Sequence, residues 1–148
     1  MNRRGAPGKA VVFHTLRVRY CETDQMGIAW HGHHVAWFEA ARVEWLRANG
    51  YSYAELERKG FWLPVLRLSC DYRKSACFDD ELSIRTYISH YTGVRIGFVY
   101  EILPLQGGSI LAQGATDHVF TNTAMRPVRV DRAEPDLHAL LFGALGEQ

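Results

Sequence analysis

The chain has 148 residues, 47% hydrophobic and 22% charged, which suits one soluble domain with a core of its own. Seventeen Lys and Arg against sixteen Asp and Glu leave a formal charge of +1, excluding the basic stripe of a nucleic-acid binder. No apolar run is long enough for a membrane span, and residues 1–10 carry basic side chains with no apolar stretch behind them, so they read as a flexible N-terminal tail rather than a secretory leader.

Residues 11–20 alternate apolar and polar side chains, with Val11, Phe13, Leu16, Val18 and Tyr20 as the apolar set, and predict a strand. Residues 22–27 predict a turn in which Thr23 and Asp24 can cap the backbone and Gly27 can take a positive φ. From His33 the pattern is helical. Val35, Trp37, Phe38, Ala40, Ala41, Val43, Trp45 and Leu46 leave only Glu39, Arg42, Glu44 and Arg47 for water or ion pairs, so other structure must surround this helix. Asn49-Gly50 predicts its end. Ser52-x-x-Glu55 is a capping box for a short second helix that Gly60 stops.

Strands are then predicted at 61–72, with Pro64 near the start, at 82–91, at 95–105 and at 110–121, with a last short strand at 128–130. A terminal helix at 134–145 is capped by Glu134 or Asp136 and has Leu137, Leu140, Leu141 and Leu145 on its apolar side. The expected architecture is a single α+β domain over 1–148, one meander of consecutive antiparallel strands curled around the long helix. Such a sheet leaves an edge bare, which predicts a dimer joined edge to edge. Cys21, Cys70 and Cys77 are odd in number and lack metal-ligand spacing; they read as reduced, half-buried residues of a cytoplasmic protein.

Between 20 and 46 the chain places a carboxylate, Asp24, in a glycine-containing turn, then histidines, then a fresh helix N-terminus, which is the material of an acyl-transfer site. The residues Y-x-E-T-D-x-M-G-I-x-W-H at 20–31 and W-F-E-A-A-R at 37–42 resemble the hotdog-fold acyl-CoA thioesterases, in particular the 4-hydroxybenzoyl-CoA thioesterase-like branch with its bacterial short acyl-CoA group. The likeness extends more weakly from Phe13 to Val130. It implies a hotdog homodimer, often a homotetramer, with active sites at the dimer interface. It also implies hydrolysis of an acyl-CoA substrate to free acid and CoA, with no metal or bound cofactor. One departure is the run His31-Gly32-His33-His34-Val35, where the family often has a tyrosine or an asparagine-tyrosine pair.

Within that resemblance Asp24 is the expected base or nucleophile, although a turn-capping Asp explains the same residue. His31 is expected to donate to the thioester oxygen or leaving thiolate, or else to a backbone carbonyl. The backbone N–H groups around Gly32 and His33 are the expected oxyanion donors, and Gly27 lets the substrate approach the chain closely. Trp30 and Trp62 are candidates for an acyl slot, while Trp37, Phe38 and Trp45 read as core. Arg73 and Lys74 are the candidate CoA phosphate ligands. Glu22 reads as a solvated strand-end acid. Glu39 and Arg42 read as an ion pair, with one another or across the dimer. His33 and His34 are adjacent and cannot form an i, i+4 metal pair, so no metal is expected. The rival readings are an enoyl-thioester hydratase or dehydratase, and a non-catalytic acyl-CoA-binding domain.

Overall fold

The computed structural model describes residues 9–145. The first strand, β1, is Val11–Arg17 and is shorter than predicted. The chain leaves it because Val18 turns inward to exchange backbone bonds with Asp80 and Asp79, and residues 20–22 then form a single 3-10 turn. Residues 1–8 of the expected tail lie outside the described residues. Lys9 and Ala10 do not behave as a tail: Ala10 is buried, its carbonyl accepts the Trp45 indole N–H at 3.1 Å, and the Lys9 carbonyl accepts from Asn49 at 3.1 Å.

The long helix, α1, is His33–Ala48, ending at Asn49-Gly50 with Gly50 at φ 92°. The capping box forms as read: Ser52 accepts the Glu55 N–H at 3.2 Å and opens α2, Tyr53–Arg58. Four further strands follow, β2 (Val65–Tyr72), β3 (Glu81–Tyr91), β4 (Arg95–Pro104) and β5 (Ala112–Val119). Two short helices close the chain, α3 (Val130–Ala133) and α4 (Pro135–Ala144). The expected strand at 128–130 is absent. Pro127 makes only an isolated bridge to Thr121, and the Val130 N–H is drawn to the Gly93 carbonyl at the start of α3.

The sheet is antiparallel with strand order β1-β3-β4-β5-β2. The expectation of one consecutive meander therefore holds only for β3-β4-β5; β2 crosses to the far edge beside β5. Apart from a bulge between Ile88 and His90 and the buried run Ile96-Gly97-Phe98 opposite it, β3, β4 and β5 alternate, and Leu82, Ile84, Ile88, Ile96, Phe98, Tyr100, Ile102 and Ala112 face inward. Against this face α1 lays Trp37, Phe38, Ala41, Trp45 and Leu46. Phe38 stacks on Tyr100 at 4.7 Å and Trp45 meets Phe98 edge-on at 5.6 Å.

Phe38 reaches the sheet only because β5 carries Gly114, where an added Cβ would lie 2.3 Å from the Phe38 ring and 3.0 Å from the Ser69 carbonyl. With Phe38 fully buried there is nowhere for the ring to go. Gly114→Ala is expected to destabilise the fold by about 2 kcal/mol or more through this overpacking, read as a lowered urea midpoint at unchanged m.

β2 is the exception to the alternation. It pairs with β5 through Leu68↔Thr116, Cys70↔Gly114 and Tyr72↔Ala112, so these three side chains share the α1-facing side. Yet Leu68 is 40% and Tyr72 49% exposed, and Val65 and Leu66 are exposed too. The helix does not reach this edge. Val35 and Glu39 on the neighbouring flank of α1 are also open.

Candidate functional site

Asp24 opens a tight loop. Its N–H donates to the Ile28 carbonyl and its carbonyl accepts from Gly27, both at 2.9 Å, with Gly27 at φ 79°. The Asp24 Oδ1 accepts the Met26 N–H at 2.9 Å, so the capping role is real. Oδ2 has no partner among the described residues. The loop is fastened to the residues just ahead of α1: Thr23 bridges Ala29, and the Trp30 N–H donates to the Glu22 carbonyl at 2.8 Å. A half-exposed carboxylate is thereby held beside the start of the long helix.

Glu22 is not the solvated acid expected from the sequence. It is 4% exposed, and its carboxylate accepts the Arg19 N–H at 2.8 Å and the Trp37 indole N–H at 2.8 Å, with the Arg19 guanidinium 3.4 Å away. Burial pushes its pKa up. The Arg19 N–H, the Trp37 N–H and the Arg19 guanidinium outweigh that and hold it below the ordinary glutamate value. The 3-10 turn at 20–22 rotates Glu22 inward, which an alternating-strand reading of 11–20 could not show.

At the helix start, the His33 N–H is already given to the Trp30 carbonyl at 3.0 Å and the Val35 N–H to Gly32. Of the first N–H groups, those of Gly32 and His34 have no partner among the described residues. Of the two N–H groups expected as oxyanion donors, that of His33 is thus already spent and that of Gly32 is free. The Trp30 indole lies over Gly32, where a Cβ would sit 2.1 Å from the ring, so the glycine makes room for this aromatic at the helix start.

The three histidines separate. His31 is exposed, and its carbonyl accepts the Tyr72 hydroxyl at 2.6 Å, which ties the end of β2 to the loop. Burial and the neighbouring Cys70 push the Tyr72 hydroxyl to about 12, so it stays a donor. His33 packs edge-on to Trp30. His34, which the sequence did not single out for the site, is 4% exposed between Trp37 and Tyr72, with ring centroids 4.7 and 4.8 Å away. Its Nδ1 is buried without a partner, and burial lowers its pKa, so it stands as a neutral imidazole. The sequence marked only the run His31–Val35 as a departure from the family pattern and did not separate His34 from its neighbours.

Arg73 and Lys74 follow β2 directly, both exposed, with Arg73 3.4 Å from Gln113. Glu39 and Arg42 do not pair with one another. Glu39 points outward, while Arg42 is buried and donates to the Tyr53 hydroxyl at 2.9 Å and the Tyr100 hydroxyl at 3.1 Å. Trp62 is absent from the core and lines a pocket of about 280 Å³ with Tyr53, Leu56, Phe61, Leu63 and Phe120, just ahead of β2. Of the cysteines only Cys70 is half-buried; Cys21 and Cys77 are exposed, and all three are free.

Behind that pocket His118 is fully buried, bonded to Thr116 and to the Leu63 carbonyl, and burial with the nearby Arg42 charge drives its pKa down to about 4. The unfolded imidazole takes its proton near 6.5, so the unfolded state binds the extra proton in this window. His118 therefore costs the fold up to about 3 kcal/mol as pH falls from 6.5 towards 4. Urea midpoints between pH 7 and 4.5 are expected to drop more steeply in the wild type than in His118→Gln.

The thioesterase-like superfamily model matches residues 16–141. The chain belongs to that family. It is 29% identical over 124 residues to YneP of Bacillus subtilis (strain 168), described as a candidate acyl-CoA thioesterase, covering 83% of this chain and 89% of that one. It is 33% identical over 88 residues to the acyl-CoA thioester hydrolase YbgC of Escherichia coli O6:H1, covering 60% and 66%. A DHNA-CoA thioesterase structure from Staphylococcus aureus superposes with a TM-score of 0.87 at 31% identity over 92% of this chain and 91% of that one. The hotdog fold and thioester hydrolysis expected from the sequence both hold for this chain. Among the described residues no helix is long and apolar enough to cross a membrane.

Proposed function

We propose that the chain hydrolyses acyl-CoA to free acid and CoA at the start of α1, with Asp24 as base or nucleophile. The observation that carries this is the free Oδ2 of Asp24 on a loop fastened to a helix N-terminus whose Gly32 and His34 N–H groups have no partner. The thioester oxygen seats on those N–H groups, where the helix dipole favours the charge that develops on it. Asp24 either takes the proton of an attacking water, or attacks the carbonyl carbon itself to give a mixed anhydride that water then hydrolyses to the free acid and the restored carboxylate; on both routes the C–S bond breaks and the CoA thiolate takes up a proton and leaves as the thiol. His31, exposed at the mouth, stands where it can steady the leaving sulfur, and Arg73 and Lys74 offer positive charge for the CoA phosphates. The reaction uses the chain's own groups and water, without metal or cofactor.

The working unit is a homodimer, able to pair further into a homotetramer. The uncovered apolar side chains of β2 and the open flank of α1 support this, because a second β2 aligned antiparallel would complete the sheet and cover them. Pairing centred between Leu68 and Ser69 sets Tyr72 opposite Val65 of the partner subunit, and brings the pocket ahead of that strand to the Asp24 loop. The free cysteines suit the cytoplasm. The test is thiol release from aliphatic and aromatic acyl-CoAs together with sedimentation. Thiol release by a species of twice the chain mass supports the reading, and a fully active monomer would sink the composite site.

A further inference from the structure

The free Gly32 N–H shares one peptide plane with the His31 carbonyl. In a trans peptide the two groups point in opposite directions, so whatever holds the carbonyl from one side fixes where the N–H is aimed on the other. The Tyr72 hydroxyl holds it, at 2.6 Å, which is short for an O–H···O bond. A donor on the carbonyl also draws charge through the amide and strengthens the N–H on its far side, by about 10–30%.

Tyr72 is itself fixed by packed groups. It is the last residue of β2 and pairs with Ala112. The His34 and His31 rings meet it edge-on, with centroids 4.8 and 6.3 Å away. His34 is buried against Trp37 at 4.7 Å, and the Trp37 indole N–H is held by the buried Glu22 carboxylate. A line of contacts thus runs from Glu22 through Trp37 and His34 to the Tyr72 ring, and its hydroxyl ends on the peptide that carries the oxyanion donor.

We propose that Tyr72 is a positioning residue of the thioesterase: through the His31–Gly32 peptide it aims and strengthens the Gly32 N–H that receives the charge forming on the thioester oxygen. This rests on the reading of the helix start as the oxyanion site. That charge grows between bound substrate and transition state, so the contribution of Tyr72 falls on kcat rather than on KM.

The sequence contains a single His-Gly step, His31-Gly32. Protein with carbon-13 in the histidine carbonyls and nitrogen-15 in glycine therefore gives one carbonyl-linked amide resonance, that of Gly32. Tyr72→Phe keeps the ring and removes the hydroxyl. It is expected to move the Gly32 nitrogen upfield, to lower kcat for thiol release about tenfold and to leave KM within about twofold. An unmoved Gly32 resonance, or a kcat within about twofold of wild type, overturns the proposal, because a hydroxyl that only ties β2 to the loop would alter the urea midpoint and not the chemical step. Should Tyr72→Phe not fold, 3-fluorotyrosine in place of Tyr72 decides. It is a stronger donor and stays protonated at neutral pH, since this hydroxyl is pushed up to about 12. It is expected to move the Gly32 nitrogen downfield with kcat at or above wild type, and no movement overturns the proposal. Wild type that releases no thiol removes the thioesterase reading and this proposal with it, whereas thiol release indifferent to Tyr72→Phe removes this proposal alone.

Discussion

Asp24→Asn is expected to lower thiol release by about 10²- to 10⁴-fold while the chain stays folded. The two halves of this expectation come from the two oxygens of one side chain. Oδ1 caps the loop by accepting from Met26 at 2.9 Å, and an asparagine oxygen takes over that bond. The loop is otherwise held by backbone bonds from Asp24 and Gly27, which the substitution leaves alone. Oδ2 is the oxygen that holds nothing. Turning it into an amide removes the base or nucleophile without disturbing the frame, so the melting temperature is expected to shift by no more than a few degrees. Retention of more than about a tenth of wild-type turnover would return Asp24 to the role of a turn cap and send the search for the reactive group to Glu39 and the histidines.

Much of the frame was legible because local rules decide it. The apolar run from Val35 to Leu46 with Asn49-Gly50 behind it specifies α1, and Ser52-x-x-Glu55 specifies α2, through bonds made within a few residues. What failed was non-local. Nothing in the pattern of residues 65–72 says that β2 crosses to the outer edge beside β5, since a strand reads the same wherever it pairs. At 128–130 two valines suggested a strand, but a tertiary bond from Val130 to Gly93 starts a helix there.

The site divided in the same way. The turn at Asp24 could be read because its capping bond is local, made by the Met26 N–H two residues on. Which N–H groups remain free at the helix start could not, because that depends on the His33 N–H meeting the Trp30 carbonyl. The supposed Glu39–Arg42 pair failed for a related reason. Spacing of i, i+3 permits the contact, but Arg42 turns to two tyrosine hydroxyls that arrive from α2 and β4.

Glu22→Ala is the expected largest loss of stability among single changes near the site, about 3 kcal/mol, and it carries activity with it. The buried carboxylate accepts two N–H groups, from Arg19 and from the Trp37 indole, and faces the Arg19 guanidinium. Its removal leaves the Trp37 N–H buried with no acceptor in a well-packed part of α1. It also frees the 3-10 turn whose next residues are Thr23 and Asp24, so the Asp24 carboxylate loses its fixed place two residues along the chain. The effect on kcat is expected to exceed the effect on KM, because binding uses the pocket and the phosphates while the chemistry uses the position of Asp24. Glu22→Gln separates the contributions: its amide oxygen keeps one acceptor for Trp37 or Arg19 but loses the charge, so both stability and turnover should fall between wild type and Ala. Because the folded carboxyl titrates below its ordinary value, the wild type holds this stabilisation above about pH 4.5 and loses it as pH falls through the lowered folded value. Tryptophan emission during urea titration gives the test, with activity measured alongside. A Glu22→Ala protein with wild-type midpoint and turnover would show that the 3-10 turn is held by its backbone bonds alone and that Asp24 needs no buried acid beside it.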